Sequence, residues 1–99
     1  MAALLSAQTT DTTSSGVAIN GTPAYIEVPN TSVFNGATLT LQASAANTAG
    51  LYSPVGGQQG TITAPGWLKL DLPSGTFVRV IQSRSTTGTS ITCNLTPTA

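Results

Sequence analysis

The sequence predicts an all-β domain, a single small β-sandwich or barrel of about seven or eight short, mostly antiparallel strands. Three observations predict it. Several short runs alternate apolar and polar residues, the pattern of a strand with one buried face. Turn signals built on Gly, Pro and Asn separate those runs at intervals of about 8–12 residues. Thr and Val, which favour pleated surfaces, are plentiful, and no segment carries an apolar stripe at helical spacing.

The first segment, MAALLSAQTTDTTSS, has a period of neither two nor 3.6, so residues 1–15 are expected to form a Thr/Ser-rich arm ahead of a β-domain spanning 16–97, held either by a neighbouring chain or by docking on the domain itself. GVAI, Asn20-Gly21 and TPAYIEV then predict a hairpin, because Asn-Gly suits the positive-φ positions of a tight type I′ turn. Pro23 lacks an N–H, which places one of these strands at a sheet edge. Ala24, Ile26 and Val28 share one face, and Tyr25 and Glu27 the other.

ATLTLQAS, residues 37–44, has the cleanest alternation: Ala37, Leu39, Leu41 and Ala43 inward, Thr38, Thr40 and Gln42 outward. AANTAG breaks it, LYSPV resumes it, GGQQG breaks it again, and TITA adds a short run before Pro65-Gly66. In WLKLDLPSGTFVRVIQS, Leu68, Leu70 and Leu72 oppose Trp67, Lys69 and Asp71, while Val78 and Val80 oppose Phe77, Arg79 and Ile81. Pro73-Ser74-Gly75 is an odd-length loop with proline and glycine where a type I turn and its bulge want them, so a hairpin is expected. Its register sets Leu70 against Val78, Leu68 against Val80, and Lys69 against Arg79, a like-charge pair. SITCNLT closes the chain with Ile91, Cys93 and Leu95 on one face.

Ninety-nine residues suit one domain with a single modest core. Only 6% are charged, with three cations, three anions and a net charge of zero. Eighteen Thr and ten Ser supply the polar surface instead, which suits an assembly better than a free monomer. Three cations are too few to neutralise a row of phosphates, so no nucleic-acid partner is expected. No apolar run reaches the roughly 20 residues of a membrane span, and MAALLSAQ lacks the basic start of a secretory signal.

The chemistry-bearing residues are equally sparse. There is no His, which removes Ser–His and Cys–His pairs and imidazole metal sites. Cys93 is alone and on an inward alternation, so it reads as a small core residue. Asp11, Glu27 and Asp71 are not brought together by any spacing, and GGQQG lacks the Lys and following helix of a phosphate loop. No catalytic, cofactor or metal residue is expected, and the chain is read as a non-enzyme. The Asn-x-Ser/Thr triplets at Asn20, Asn30 and Asn94 match chance in so Ser/Thr-rich a chain. Trp67, Tyr25 and Tyr52 are candidates for a sugar-stacking platform, but no acid-and-amide cluster is evident beside them, and the same residue types are enriched at protein contacts.

FNGATLTLQASAANTAGLYSPVG, then WLKLDLPSGTFVRVIQS and a Thr-rich closing strand, resembles small virion structural proteins of tailed bacteriophages over roughly residues 33–96. That pattern is an F-x-G-A-T-[VL]-T-L-Q strand, a variable loop, and a strand ending -LPxGxF/Y-R. The loop AANTAGLYSPVG departs from it in lacking an Asp-Gly and a Trp. The resemblance implies a head decoration or cement subunit on the capsid surface of the virion, with the major capsid protein or other virion proteins as partners. It implies no catalytic residues. A homo-oligomer, a trimer at local threefold positions, is the expected assembly. The alternative is a receptor- or carbohydrate-binding fibre or tail module. The candidate contact face is the outer side of the expected hairpin: Trp67, Lys69, Asp71, Arg79 and Ile81.

Overall fold

A computed structural model describes residues 2–55 and 60–97. Its secondary structure is all-β, as predicted, but the ten strands sort into two sheets in an order that alternation alone does not reveal. In chain order they are β1 (Ala2–Gln8), β2 (Thr12–Thr13), β3 (Val17–Ala18), β4 (Ala24–Val28), β5 (Thr38–Ser44), β6 (Ser53–Pro54), β7 (Thr61–Ile62), β8 (Gly66–Leu70), β9 (Phe77–Ser83) and β10 (Ile91–Thr96). One sheet, called A below, runs β1-β10-β4-β8. In the other, B, β9 and β5 form the centre. The two-residue strands β2 and β3 flank β9, and β6 and β7 flank β5. All these pairings are antiparallel.

Counting β2/β3 and β6/β7 as one column each, the chain visits the sheets in the order A, B, A, B, B, A, B, A. That path, with sheet orders β1-β10-β4-β8 and β2/β3-β9-β5-β6/β7, is the connectivity of a jelly roll, two Greek keys closed into a double sheet. Six of its seven connections cross between sheets.

The inward faces follow the sequence pattern. Ala24, Ile26 and Val28 of β4, Leu39 and Leu41 of β5, Val78 and Val80 of β9, and Ile91, Cys93 and Leu95 of β10 are all buried in one core. Ala43 is half-buried near the end of β5. Leu68 and Leu72 pack on the core from its margin, while Leu70 is buried within it. Neutral, half-exposed Thr38, Thr40 and Gln42 face outward from β5.

Both expected hairpins are corrected. GVAI and TPAYIEV do not pair: β3 joins β9 in sheet B, whereas β4 lies between β10 and β8 in sheet A. Pro23 precedes β4, so its missing N–H falls outside the ladder and a central strand tolerates it. Likewise β8 pairs with β4 and β9 with β5, so the Pro73–Gly75 turn carries the chain across the sandwich. Gly75 has φ +91°, as a turn glycine should, and its N–H donates to the Ile19 carbonyl at 2.7 Å. The Gly21 N–H donates to Ser74 Oγ at 2.9 Å, tying the two crossings together. The Asn-Gly pair that makes a tight turn is Asn35-Gly36, with φ +48° and +93° and an Ala37 N–H to Phe34 carbonyl bond of 2.8 Å.

Of the two expectations for the amino-terminal segment, docking on the domain itself is the one met, and it docks as strands rather than as an appended arm. Residues 2–8 form an edge strand of sheet A on β10, and Thr12–Thr13 add to sheet B on β9. Periodicity missed β1 because its register shifts twice, between Ala3 and Leu5 and between Leu5 and Gln8, with Ala7 at φ +47°. The irregularity buries the adjacent residues Leu4 and Leu5 together, which a clean period of two forbids. The GGQQG break falls largely on residues outside those described.

Candidate protein interface

The five residues expected on one face are divided between three places. Trp67 and Lys69 lie on the outer face of sheet A. Arg79 and Ile81 lie on the outer face of sheet B, on the far side of the core. Asp71 is exposed just past β8, where the chain leaves for sheet B. The cause is the crossing: an antiparallel hairpin would have kept these side chains together, and a jump between sheets turns them to opposite surfaces. It also removes the like-charge conflict, since Lys69 faces Tyr25 and Arg79 faces Gln42.

On sheet A, β4 and β8 set Tyr25 opposite Lys69 and Glu27 opposite Trp67. Tyr25 and Trp67 are diagonal neighbours, with ring centroids 6.3 Å apart and planes at 83°, a favourable edge-to-face arrangement. Trp67 is nonetheless 65% exposed, the most open of three large apolar side chains left exposed among the described residues, with Leu51 and Val33 the others. The Asn94 amide of β10 donates to Glu27 Oε1 at 3.2 Å, which fixes the carboxylate beside the indole strand. An acid and an amide therefore do flank the aromatic pair, contrary to the sequence reading. Tyr52, the third aromatic candidate, directly precedes β6 and packs over Arg79 of the other sheet.

Sheet B presents a self-contained cluster. Arg79 Nε donates to Gln42 Oε1 at 2.8 Å, and the guanidinium carbon sits 4.2 Å from the Tyr52 ring centre, a cation–π contact. The Tyr52 hydroxyl donates to Asn47 Oδ1 at 2.8 Å. Gly16 makes this possible, because a Cβ there would collide with the Tyr52 hydroxyl and the Asn47 side chain. Arg79 is thus occupied within its own sheet. Ile81 pairs with Thr40 and Thr13 and is half-buried. Sequence spacing offered no signal for this cluster, since Gly16, Tyr52 and Arg79 meet only through the fold.

Elsewhere, Cys93 is fully buried, and burial pushes its thiol up to about 12, the behaviour of an inert core residue. Asp11 accepts the Ser85 backbone N–H at 2.9 Å, and that bond, aided by the Ser85 side chain, holds its carboxyl below the ordinary value of 3.8. Among the described residues, no three His, Cys, Asp or Glu side chains cluster as metal ligands would.

Four sheet edges differ in kind. Both edges of sheet B are made of two-residue strands, and one contains Pro54. The β1 edge of sheet A carries the two register shifts. The β8 edge carries none: Gly66 to Leu70 pair residue by residue with β4, and among the described residues β4 is their only strand neighbour. No family model, curated protein or solved structure matches this chain.

Proposed function

We propose that this chain is a non-enzymatic structural protein of a tailed-phage virion, a head decoration or cement subunit that binds the capsid surface and stabilises it. The observation that carries the proposal is the outer face of sheet A, where Trp67 stands 65% exposed beside Tyr25 and Lys69 on a paired strand. An exposed aromatic on a preformed sheet is an anchor of the kind that dominates protein contacts. The jelly-roll path agrees by analogy of fold alone, since capsid and lectin domains both use it. The near-absence of charge also agrees, because closely crowded copies do not repel. Cementing is mechanical: each subunit buries area across a joint between capsid proteins, and many weak identical contacts add through avidity. The partners in this proposal are the major capsid protein and further copies of the chain.

Electron microscopy of purified particles tests it. Density for this sandwich is expected on the head lattice, in copies on the order of hundreds. Binding of the purified chain to particles lacking it is expected to weaken at least about tenfold in Trp67→Ala, a loss of ~1.4 kcal/mol. Density confined to the tail or its tip would overturn the head assignment.

The second reading, a carbohydrate-binding module, is favoured by one feature: Glu27 and Asn94 lie beside Tyr25 and Trp67, polar groups next to an aromatic face. Selective glycan binding abolished by Trp67→Ala, with no affinity for particles, would establish it in place of the first.

A further inference from the structure

We infer that β8 is a self-association edge, where two copies of this chain pair antiparallel across a twofold axis at Leu68 and join their A sheets into one. The inference names a surface for the self-association part of the reading above and stands without any capsid.

An unpaired strand edge is a template for another strand, and proteins blunt such edges with short strands, proline or bulges. Three edges of this sandwich carry those devices; among the described residues β8 carries only the milder one of a charged side chain, Lys69, which the pairing below sets against an aromatic ring. Its five residues keep an unbroken register with β4, although Gly66 opens it at φ +150°, and Gly66, Trp67 and Lys69 are exposed.

The occupant follows from the register. Residues 71–76 leave sheet A for sheet B, so pairing must fall within Gly66–Leu70. An antiparallel self-pairing that uses all five residues is centred on Leu68. It sets Leu68 against its own copy, Leu70 against Gly66, and Trp67 against Lys69, twice. Directly opposed residues on one face stand about 4.5–5.5 Å apart at Cβ, within reach of a cation–π contact between ammonium and indole. Both members face outward on the same side of sheet A. A shift of one residue would centre the pair on Lys69 and oppose two ammonium groups, which disfavours it. Leu68, half-buried at the core margin, gains cover from its copy. The chain carries no net charge to oppose the approach. A self-pairing of this kind is isologous and closes as a dimer, in place of the threefold arrangement expected from sequence. Five residues a side make a small interface, so the dimer is weak and dynamic.

Sedimentation velocity of the full chain from about 10 µM to about 1 mM tests association in the range proper to small interfaces. A monomer–dimer equilibrium is expected, with the emission of Trp67, the single tryptophan, moving to the blue as the dimer fills. The register is read by mixing Trp67→Cys with Lys69→Cys under mild oxidation. Both positions are exposed, and Cys93 is buried and unreactive. The mixture is expected to give at least about fivefold more disulfide dimer than either variant alone, because only 67 against 69 brings the two sulfurs within bonding range. A monomer throughout the concentration range overturns the inference. So does a dimer whose mixed variants crosslink no better than the single ones, which assigns association to another face. Position 69 shielded from a thiol reagent only on particles would give the edge to a capsid partner instead. None of these outcomes decides whether the chain attaches to particles, which the microscopy tests separately.

Discussion

Replacing Leu5 by alanine is expected to destabilise the domain by about 3 kcal/mol, within the range of about 2–5 kcal/mol for truncating a buried leucine side chain. Leu5 is 4% exposed, pairs with Cys93 on β10, and belongs to the single core cluster. Its removal loses the transfer energy of the deleted carbons and leaves a void against β10 that a strand held on one side only partly closes. A domain of this size holds about 5–15 kcal/mol in all, so the loss is a large share of its stability. At about 4–8 °C per kcal/mol for a chain of this length, the melting temperature falls by roughly 12–24 °C. Urea titration followed by far-UV circular dichroism reads the change, with exposed Ser6→Ala as a control expected within about 0.5 kcal/mol of wild type. Were residues 1–15 a detached arm, Leu5→Ala would be as silent as the control. A loss below about 1 kcal/mol would therefore refute β1 as a core strand. Deleting residues 2–8 is expected to go further and unfold the domain, since it removes Leu4 and Leu5 and uncovers the β10 edge.

Gly16→Ala is expected to cost about 1–3 kcal/mol by driving the Tyr52 ring from its place over Arg79. In a Tyr52→Ala background the same substitution should become nearly neutral, and a double-mutant cycle showing no such coupling would refute the contact. Asp11 supplies a pH signature. Its folded pKa is depressed, so its stabilisation is present above pH 3.8 and lost as pH falls through the lower folded value. Asp11→Asn is accordingly expected to melt below wild type at neutral pH, with the gap closing in acid; a gap of constant size from pH 7 to pH 2 would exclude the charge as its source.

How much of the interface was legible follows the same division as the fold. Trp67 and Lys69 were readable as a pair because alternation within one strand sets them two residues apart on one face. Arg79 and Ile81 were equally readable as a pair on β9. Joining the pairs required knowing whether β8 and β9 share a sheet, and turn chemistry does not say. Pro73 and Gly75 make a turn either way. Glu27 and Asn94 come together from positions 67 residues apart, a meeting no local spacing announces.

By itself, the sequence determined the class of structure and the inward side of nearly every regular strand: Ile26 and Val28, Leu39 and Leu41, Val78 and Val80, Ile91, Cys93 and Leu95. Burial of apolar surface acts on each strand separately, so a period of two is enough to record it. Only the tertiary structure decided which strands are neighbours. In a sandwich the inward face stays inward whether the chain turns back within a sheet or crosses to the other, so hairpin and crossing satisfy the same pattern equally well. Backbone pairing and packing across the core separate the two. They send β8 to β4 and β9 to β5, fold β1 onto β10 despite its broken period, and, among the described residues, leave the Gly66–Leu70 edge without a second strand neighbour.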